Sequence, residues 1–350
     1  MRRLEQIALA ALVLATGAFA EESRTVTVTC PVCANRFQAQ KWTRAHWLAG
    51  TDRDLCRHGD DRQFFLLDCW ACPRCLYSGH SAAFGPDADA PTRAVIRTLK
   101  KQNPLAAPIA IDRKAQHTGR VPAWVRFDLY LQVLRLRSDR AEVDFYGVCM
   151  AAAQTQRFEW TLGLSRIEAW LTKRIPLPPA ERDANISEYH VRRANLLEVW
   201  AADKQTNATA KMRNHANALA AVYYKRHGED RDALRVVGLL ERNDDLGKDL
   251  RALLKNLRAR IDIEMKYRAR ALVHLQQMLV KFKPPPAQTA PAHYLVGVLQ
   301  RQLGKRDEAL RALKAARDND ALPENLRAWA ADEIAKANGA HAGRPIIAKK

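Results

Sequence analysis

The chain has 350 residues, of which 47% are hydrophobic and 27% are charged, and its 57 basic and 38 acidic residues give a formal charge of +19. This composition excludes a chain without a packed core, and the length allows two domains or one domain with a repeat array. The basic excess is compatible with an acidic partner, but its scattered distribution is more typical of charges that solvate exposed helix faces.

The N-terminus has the features of a secretory signal peptide. Two arginines precede an apolar run over residues 7–19, and a small-x-small pattern predicts cleavage after Ala20. The run is shorter than the ~20 apolar residues of a membrane anchor, and Gly17 interrupts it. We therefore expect an exported protein, periplasmic or extracellular, that loses residues 1–20 and keeps no transmembrane segment. Its partners would then lie in the cell envelope.

Residues 21–85 are predicted to form a small strand-rich module. Alternating Thr and Val over 24–29 indicates one strand, and the compact apolar run at 63–68 indicates another. The module holds six of the seven cysteines and is nearly neutral, with eight basic and seven acidic residues. So small a module with one short apolar run needs a covalent or metal staple.

The two CPxC motifs of the module are candidate metal ligands. Cys30-Pro-Val-Cys33 and Cys72-Pro-Arg-Cys75 are separated by 38 residues. A C-x2-C turn directs two thiolates to one centre, and two such turns complete a tetrahedral zinc site. Four thiolates leave no open coordination position, so this pattern predicts a structural rather than a catalytic zinc. Iron also accepts four thiolates, and ligand type does not distinguish the two metals.

Three other interpretations of the cysteines stay open. An oxidising compartment favours disulfides, so the whole module could be disulfide-bonded, or zinc could coexist with Cys56 and Cys69 as a disulfide or as buried thiols. Cys72 and Cys75 could instead be a redox dithiol, although no thioredoxin-like context surrounds them. His46, His58 and His80 are weaker candidate ligands, and Cys149 is predicted to be a packing residue. A nucleic-acid-binding ribbon is disfavoured by the neutral module and the signal peptide.

Beyond residue 85 the chain is predicted to be almost entirely helical. After a turn-rich linker, GPDADAP, helices are expected at about 91–102, 123–137, 140–156, 159–173 and 186–203, with a loop over 103–122. These helices define a region over 86–203, followed by repeats over 204–338 and a loose tail over 339–350.

The C-terminal third carries an internal repeat that resembles the tetratricopeptide repeat (TPR). Gly304, Ala309 and Leu313 lie at characteristic spacings, and apolar residues return 38 and 76 residues earlier, at Leu275 and Val237. Small residues at such positions let antiparallel helices approach closely, and each pair needs neighbours to cover its face. The period exceeds the usual ~34 residues, which we attribute to long connections such as KFKPPPAQTAP. A plain helical bundle is the alternative.

The order CPVCANRF, TDRDL, CPRCLYSG and then helices resembles the uncharacterised bacterial family called domain of unknown function 2225. The resemblance implies a zinc-ribbon-like role for Cys30, Cys33, Cys72 and Cys75, and it marks Asp54 and Tyr77 as matching positions without a known role. Ala34 and Leu76 replace the glycines of the family's knuckles, Cys56 and Cys69 lie outside its pattern, and export is atypical of it.

Together these features predict an α+β, mostly α protein in which a small β-rich four-cysteine module precedes an α-helical TPR-like array. We expect a non-enzymatic exported protein that binds a protein or peptide partner, because no Walker, dinucleotide-binding, HExxH or GxSxG motif is present. The alternative is a thiol-disulfide oxidoreductase that uses the CPRC dithiol. The sequence indicates no oligomeric state.

Overall fold

The structure is a computed structural model, and it describes residues 23–42, 48–59, 67, 69–158, 186–244, 246–282 and 285–339. The predicted signal peptide, most of the predicted strand at 63–68, the predicted helix at 159–173 and nearly all of the tail lie outside these residues.

Three antiparallel hairpins form the β region within the part of the chain that the structure describes. Strand β1 (Ser23–Thr29) pairs with β2 (Arg36–Trp42), β3 (Leu48–Thr51) with β4 (Arg57–Gly59), and β5 (Cys69–Ala71) with β6 (Ser78–His80). In β1, Val28 is buried between two exposed threonines, as the alternation of the sequence predicts.

Ten α-helices follow among the described residues: α1 (Ala90–Lys101), α2 (Ala123–Arg135), α3 (Glu142–Phe158), α4 (Ile186–Ala202), α5 (Ala210–Arg226), α6 (Asp230–Glu241), α7 (Lys248–Phe282), α8 (Pro286–Gln302), α9 (Arg306–Arg317) and α10 (Glu324–Ala337). The fold is therefore mostly α with a small β region, as predicted. The predicted helices that correspond to α1 to α4 agree with these bounds to within two residues.

The hairpins that carry the CPxC motifs share one hydrophobic core with α1 and α2. Phe37 and Trp70 from the hairpins pack in one cluster with Leu99 of α1 and Leu129 of α2, and all four are at most 4% exposed. The carboxylate of Asp89 accepts a hydrogen bond from Thr92 N and so caps α1. This shared core supports the four cysteines from one side.

Two helix pairs in the C-terminal half have the same geometry. Helices α5 and α8 have 17 residues each, and their partners α6 and α9 have 12. The connecting turns place Gly228 at φ +80° and Gly304 at φ +81°. The following residue donates to a carbonyl five residues earlier in both turns, Glu229 N to Tyr224 O and Lys305 N to Gln300 O. These are glycine C-caps of the same type, 76 residues apart.

The middle copy of the predicted repeat is wrong. Its turn would fall at Lys266, 38 residues before Gly304, but this residue lies inside the continuous 35-residue helix α7.

The KFKPPPAQTAP segment is also not a long loop, because α8 begins at Pro286 and continues through Pro291. Pro286 stands in the first helical turn, where the missing N–H of proline would have no partner, whereas Pro291 lies inside the helix. Within the described ranges, no helix combines the length and the apolarity that crossing a membrane requires.

Candidate metal centre

The two CPxC motifs form two turns of the same shape, each between the strands of a hairpin. In the first, Ala34 N donates to Cys30 O at 3.0 Å and Cys30 N to Asn35 O at 2.9 Å. In the second, Leu76 N donates to Cys72 O at 2.8 Å and Cys72 N to Tyr77 O at 2.9 Å. These repeated backbone bonds explain why each turn directs its two sulfurs to the same side.

The four sulfurs of Cys30, Cys33, Cys72 and Cys75 all lie within 4.8 Å of one another. The Sγ atoms of Cys30 and Cys75 are 3.5 Å apart, and those of Cys33 and Cys72 are 3.7 Å apart. These separations exceed a disulfide bond of about 2.05 Å, whereas tetrahedral bonds of ~2.3 Å to one zinc place sulfurs ~3.8 Å apart. The four thiols therefore fit one metal ion, and their chemistry is compatible with zinc.

Hydrogen bonds within the cluster favour negative charge on one sulfur, that of Cys72, and protonation of Cys30 and Cys75. Bonds from the thiols of Cys30 and Cys75 lower the pKa of Cys72 to about 2, and backbone amides of Arg74 and Cys75 add to this effect. The same bond to Cys72 raises the pKa of Cys30 to about 12, because Cys30 retains the shared proton. A divalent cation would displace such protons and leave all four sulfurs as thiolates.

The segment between α1 and α2 braces the second turn. The Asn103 side chain donates to Cys75 O at 2.7 Å, and Arg113 donates to Arg74 O at 2.9 Å. Thr118 Oγ1 accepts from Ala71 N at 2.9 Å and donates to Ala71 O at 3.0 Å. The loop predicted over 103–122 therefore supports the cysteine cluster directly.

Of the remaining candidates, those whose side chains the structure describes lie outside the four-cysteine cluster. Cys69 is a buried thiol whose sulfur is 3.4 Å from Ser78 Oγ, and Cys56 is a buried thiol whose pKa is raised by burial. A bridge between these two stays a prediction. His80 packs its ring against Tyr130, with centroids 5.0 Å apart, and Cys149 is buried in the helical core. His46 lies outside the described residues, as does the side chain of His58.

A second constellation, which the sequence reasoning missed, lies where the β3–β4 hairpin meets the helices. We call it the buried ion cluster; its side chains are at most 1% exposed and belong to Asp52, Asp54, Arg157, Lys225, Asp230, Glu264 and Arg268. Arg157 donates to Asp52 at 2.6 Å, to Asp54 at 3.1 Å and to Glu264 at 2.9 Å. Arg268 pairs with Asp230 and with Glu264.

An adjoining group extends this network to the last helices. Glu229 accepts from Arg301 of α8 at 2.9 Å and from Lys336 of α10 at 2.8 Å, and Arg301 also pairs with Glu333. On the hairpin, Arg53 forms a 2.9 Å ion pair with Asp332 and lies 4.7 Å from the centre of the Trp329 ring. The TDRDL stretch therefore docks the hairpin onto helices that are far away in the sequence.

The signal for this cluster was only partly present in the sequence. The family resemblance marked Asp54, but the sequence did not identify its ion partners. Arg157 lies on one helix and Glu264 and Arg268 lie on another, and both helices are far from Asp54 in the sequence. Glu264 and Arg268 are four residues apart, which is an ordinary surface ion-pair spacing on a helix. Their complete burial follows from the packing of α7 against α3, which periodicity does not reveal.

Comparisons with known proteins support the family resemblance. Residues 24–151 match the sequence model of a family described as "Uncharacterized protein conserved in bacteria (DUF2225)". The matched segment contains the four-cysteine cluster, Asp52, Asp54 and helices α1 and α2. The searches gave no match among curated proteins and none among solved structures.

Proposed function

We propose that the protein is an exported, non-enzymatic interaction protein, in which Cys30, Cys33, Cys72 and Cys75 bind one structural zinc and the helical half provides a basic binding surface. The observation that carries the metal assignment is the convergence of four thiols from two turns of the same shape. Four thiolates fill a tetrahedral shell, so the ion would stabilise the fold and would not activate water.

The kind of binding partner is inferred from the helix pairs and from the distribution of formal charge along the chain. Most of the +19 formal charge lies after residue 85, where the α5–α6 and α8–α9 pairs share one turn geometry. Stacked helix pairs commonly bind extended peptides on one face, and a basic face selects acidic segments. We therefore propose an acidic protein or peptide of the cell envelope as the partner.

Metal analysis of the full chain purified from the exported fraction tests the zinc assignment. We expect about one zinc per chain and four thiols that react with a thiol reagent only after a chelator is added. The Cys72→Ser variant should lose the metal, whereas Cys149→Ser, which changes a cysteine of the helical core, should retain it. Metal-free protein with reagent-accessible thiols would contradict the assignment.

Thiol-disulfide exchange by Cys72 and Cys75 is the alternative function, and one observation favours it. Cys33 and Cys75 are only partly buried, so an external thiol or disulfide can reach this edge of the cluster. Equilibration with glutathione buffers tests this function. A reversible Cys72–Cys75 disulfide in metal-free protein would support it, and thiols that stay reduced while zinc is bound would contradict it.

A further inference from the structure

A cavity of about 220 Å³ lies beside the metal centre, at the junction of β6, helix α1 and helix α2. It is lined by Tyr77, which follows the second CPxC turn, by Val95 of α1, and by Tyr130 and Val133 of α2. At ~30 Å³ per water, this is room for about seven waters or for one small organic molecule. None of the functions proposed above uses this cavity.

Aromatic rings form one side of the cavity. The rings of Tyr130 and His80 meet edge to face with centroids 5.0 Å apart, and Tyr77 packs on Phe84 at the same distance. Tyr130 is only partly buried, so part of its side chain is open to a ligand. An aromatic face attracts a cation because its π electrons carry negative charge.

Two carboxylates lie at the mouth of the cavity, although the chain as a whole is strongly basic. Asp87 and Asp89 line it and are exposed, the one guanidinium among its lining residues belongs to Arg137, and Arg93 donates to the carbonyl of Ala88, another lining residue. Arg137 is already engaged: it donates to Asp89 at 3.1 Å, to Thr92 Oγ1 at 3.1 Å and to Asp139 at 2.9 Å. With a second bond to Asp139, four of its five N–H groups are used, so a carboxylate or phosphate ligand would find at most one N–H of Arg137 there, beside two carboxylates that repel it.

We propose that this cavity binds a small organic cation, with an ammonium group against the Tyr130 ring and the carboxylates of Asp87 and Asp89 at the mouth. The aromatic wall and the acidic rim favour the same charge, while the apolar floor of Val95 and Val133 suits methyl or methylene groups. Quaternary and primary ammonium compounds share this chemistry.

Calorimetric titration of the full chain with choline tests the proposal, with the uncharged isostere 3,3-dimethyl-1-butanol as the matched ligand. Choline should bind saturably with one site, and the alcohol should bind at least about tenfold more weakly, because it lacks the charge. Equal binding of the two compounds, or no saturable binding of choline, would overturn the proposal.

Two variants and two matched controls locate the site. Tyr130→Leu should weaken choline binding by about tenfold, while Tyr130→Phe, which keeps the aromatic face, should bind like the wild type. Asp87→Asn should weaken binding several-fold, and Asp320→Asn, an equally exposed change after α9, should have no effect. If Tyr130→Phe loses as much affinity as Tyr130→Leu, or if Asp320→Asn has the same effect as Asp87→Asn, the cavity is not the binding site.

Discussion

Ala34 and Leu76 occupy equivalent positions in the two cysteine turns and share an uncommon backbone conformation. Their φ angles are +57° and +68°, in the left-handed region where a side chain collides with the neighbouring carbonyl and costs ~1–2 kcal/mol. Both residues stand where the family pattern has glycine, which adopts this conformation without that cost. The two turns therefore form although Ala34 and Leu76 disfavour the backbone conformation that the turns require.

We expect Ala34→Gly to raise the free energy of unfolding by about 0.5–1 kcal/mol, since relief of the left-handed strain outweighs the greater flexibility of glycine in the unfolded chain. Ala34 is exposed, so the substitution removes no core contact. Urea unfolding with and without zinc measures the effect. As a control, Ala328→Gly on an exposed face of α10 should lower stability by about 1 kcal/mol.

Leu76→Gly should have the opposite effect from Ala34→Gly, because Leu76 is 0% exposed and packs in the core shared with α1 and α2. Loss of that side chain should cost about 2–5 kcal/mol, more than the strain it relieves. Stabilisation by Leu76→Gly, or destabilisation by Ala34→Gly, would contradict this explanation of the turns.

At the scale of elements, the α8–α9 pair depends on one close approach. A Cβ added to Gly297 would lie 2.5 Å from Leu313 Cγ and 3.0 Å from Leu313 N, so the two helices contact almost backbone to backbone. Leu313 is 0% exposed, and it cannot move without disturbing the core. Glycine at position 297 therefore permits the close approach of these two antiparallel helices.

Gly297→Ala should therefore lower the free energy of unfolding by about 1–3 kcal/mol through overpacking. Gly147→Ala is a matched control, since Gly147 also lies within a helix, is exposed, and has no atom within 4 Å of its virtual Cβ. It should stabilise the protein by about 0.5–1 kcal/mol, the ordinary gain of alanine over glycine. Thermal unfolding followed by circular dichroism shows whether each variant is more or less stable than the wild type. A change of stability in the same direction for both variants would contradict the close-packing argument.

These elements also indicate what the sequence could and could not predict. The four cysteines were predictable because a C-x2-C turn is a local structure, and helices α1 to α4 were predictable from their periodicity. The continuous helix α7 was not, because the 38-residue return of Leu275 and Val237 reflects helical packing faces and not a turn. The ion partners of Asp54 were also hidden, since they depend on contacts over more than 100 residues of sequence.

For the molecule as a whole, the buried ion cluster connects the β3–β4 hairpin to α3, α5, α6 and α7. Buried ion pairs contribute little net stability when compared with apolar residues, but removing one partner leaves charge in a dry site and costs ~3–5 kcal/mol. The hairpin therefore docks with all of these ion pairs formed, because a partial set would leave unpaired charge in a dry site. It gives a physical reason for two aspartates in the TDRDL stretch of a nearly neutral module.

Arg157→Met removes the guanidinium that contacts Asp52, Asp54 and Glu264 and keeps most of the side-chain volume. We expect it to lower the free energy of unfolding by about 3–5 kcal/mol and to increase hydrogen exchange in residues 48–59. Arg258→Met is the control, because its ion pair with Glu241 is about half exposed and should contribute less than ~1 kcal/mol. Similar losses in the two variants would show that burial of the cluster has no special role.

The same burial makes the protein sensitive to acid. Burial alone would raise the pKa of Glu229, but Arg301 and Lys336 outweigh it and hold that pKa well below its ordinary value of 4.5; Arg157 likewise lowers the pKa of Asp54 from 3.8. A depressed pKa means that the unfolded chain binds protons first, so this stability is fully present above about pH 4.5 and is lost as the pH falls through the folded-state values.

Urea midpoints between pH 6 and pH 2.5 should therefore fall steeply below about pH 4.5. The urea midpoint of Glu229→Gln should be lower at pH 6 and should decrease less with falling pH, while that of Glu308→Gln, exposed on α9, should follow the wild type. A pH dependence of the Glu229→Gln midpoint as steep as that of the wild type would contradict the assignment.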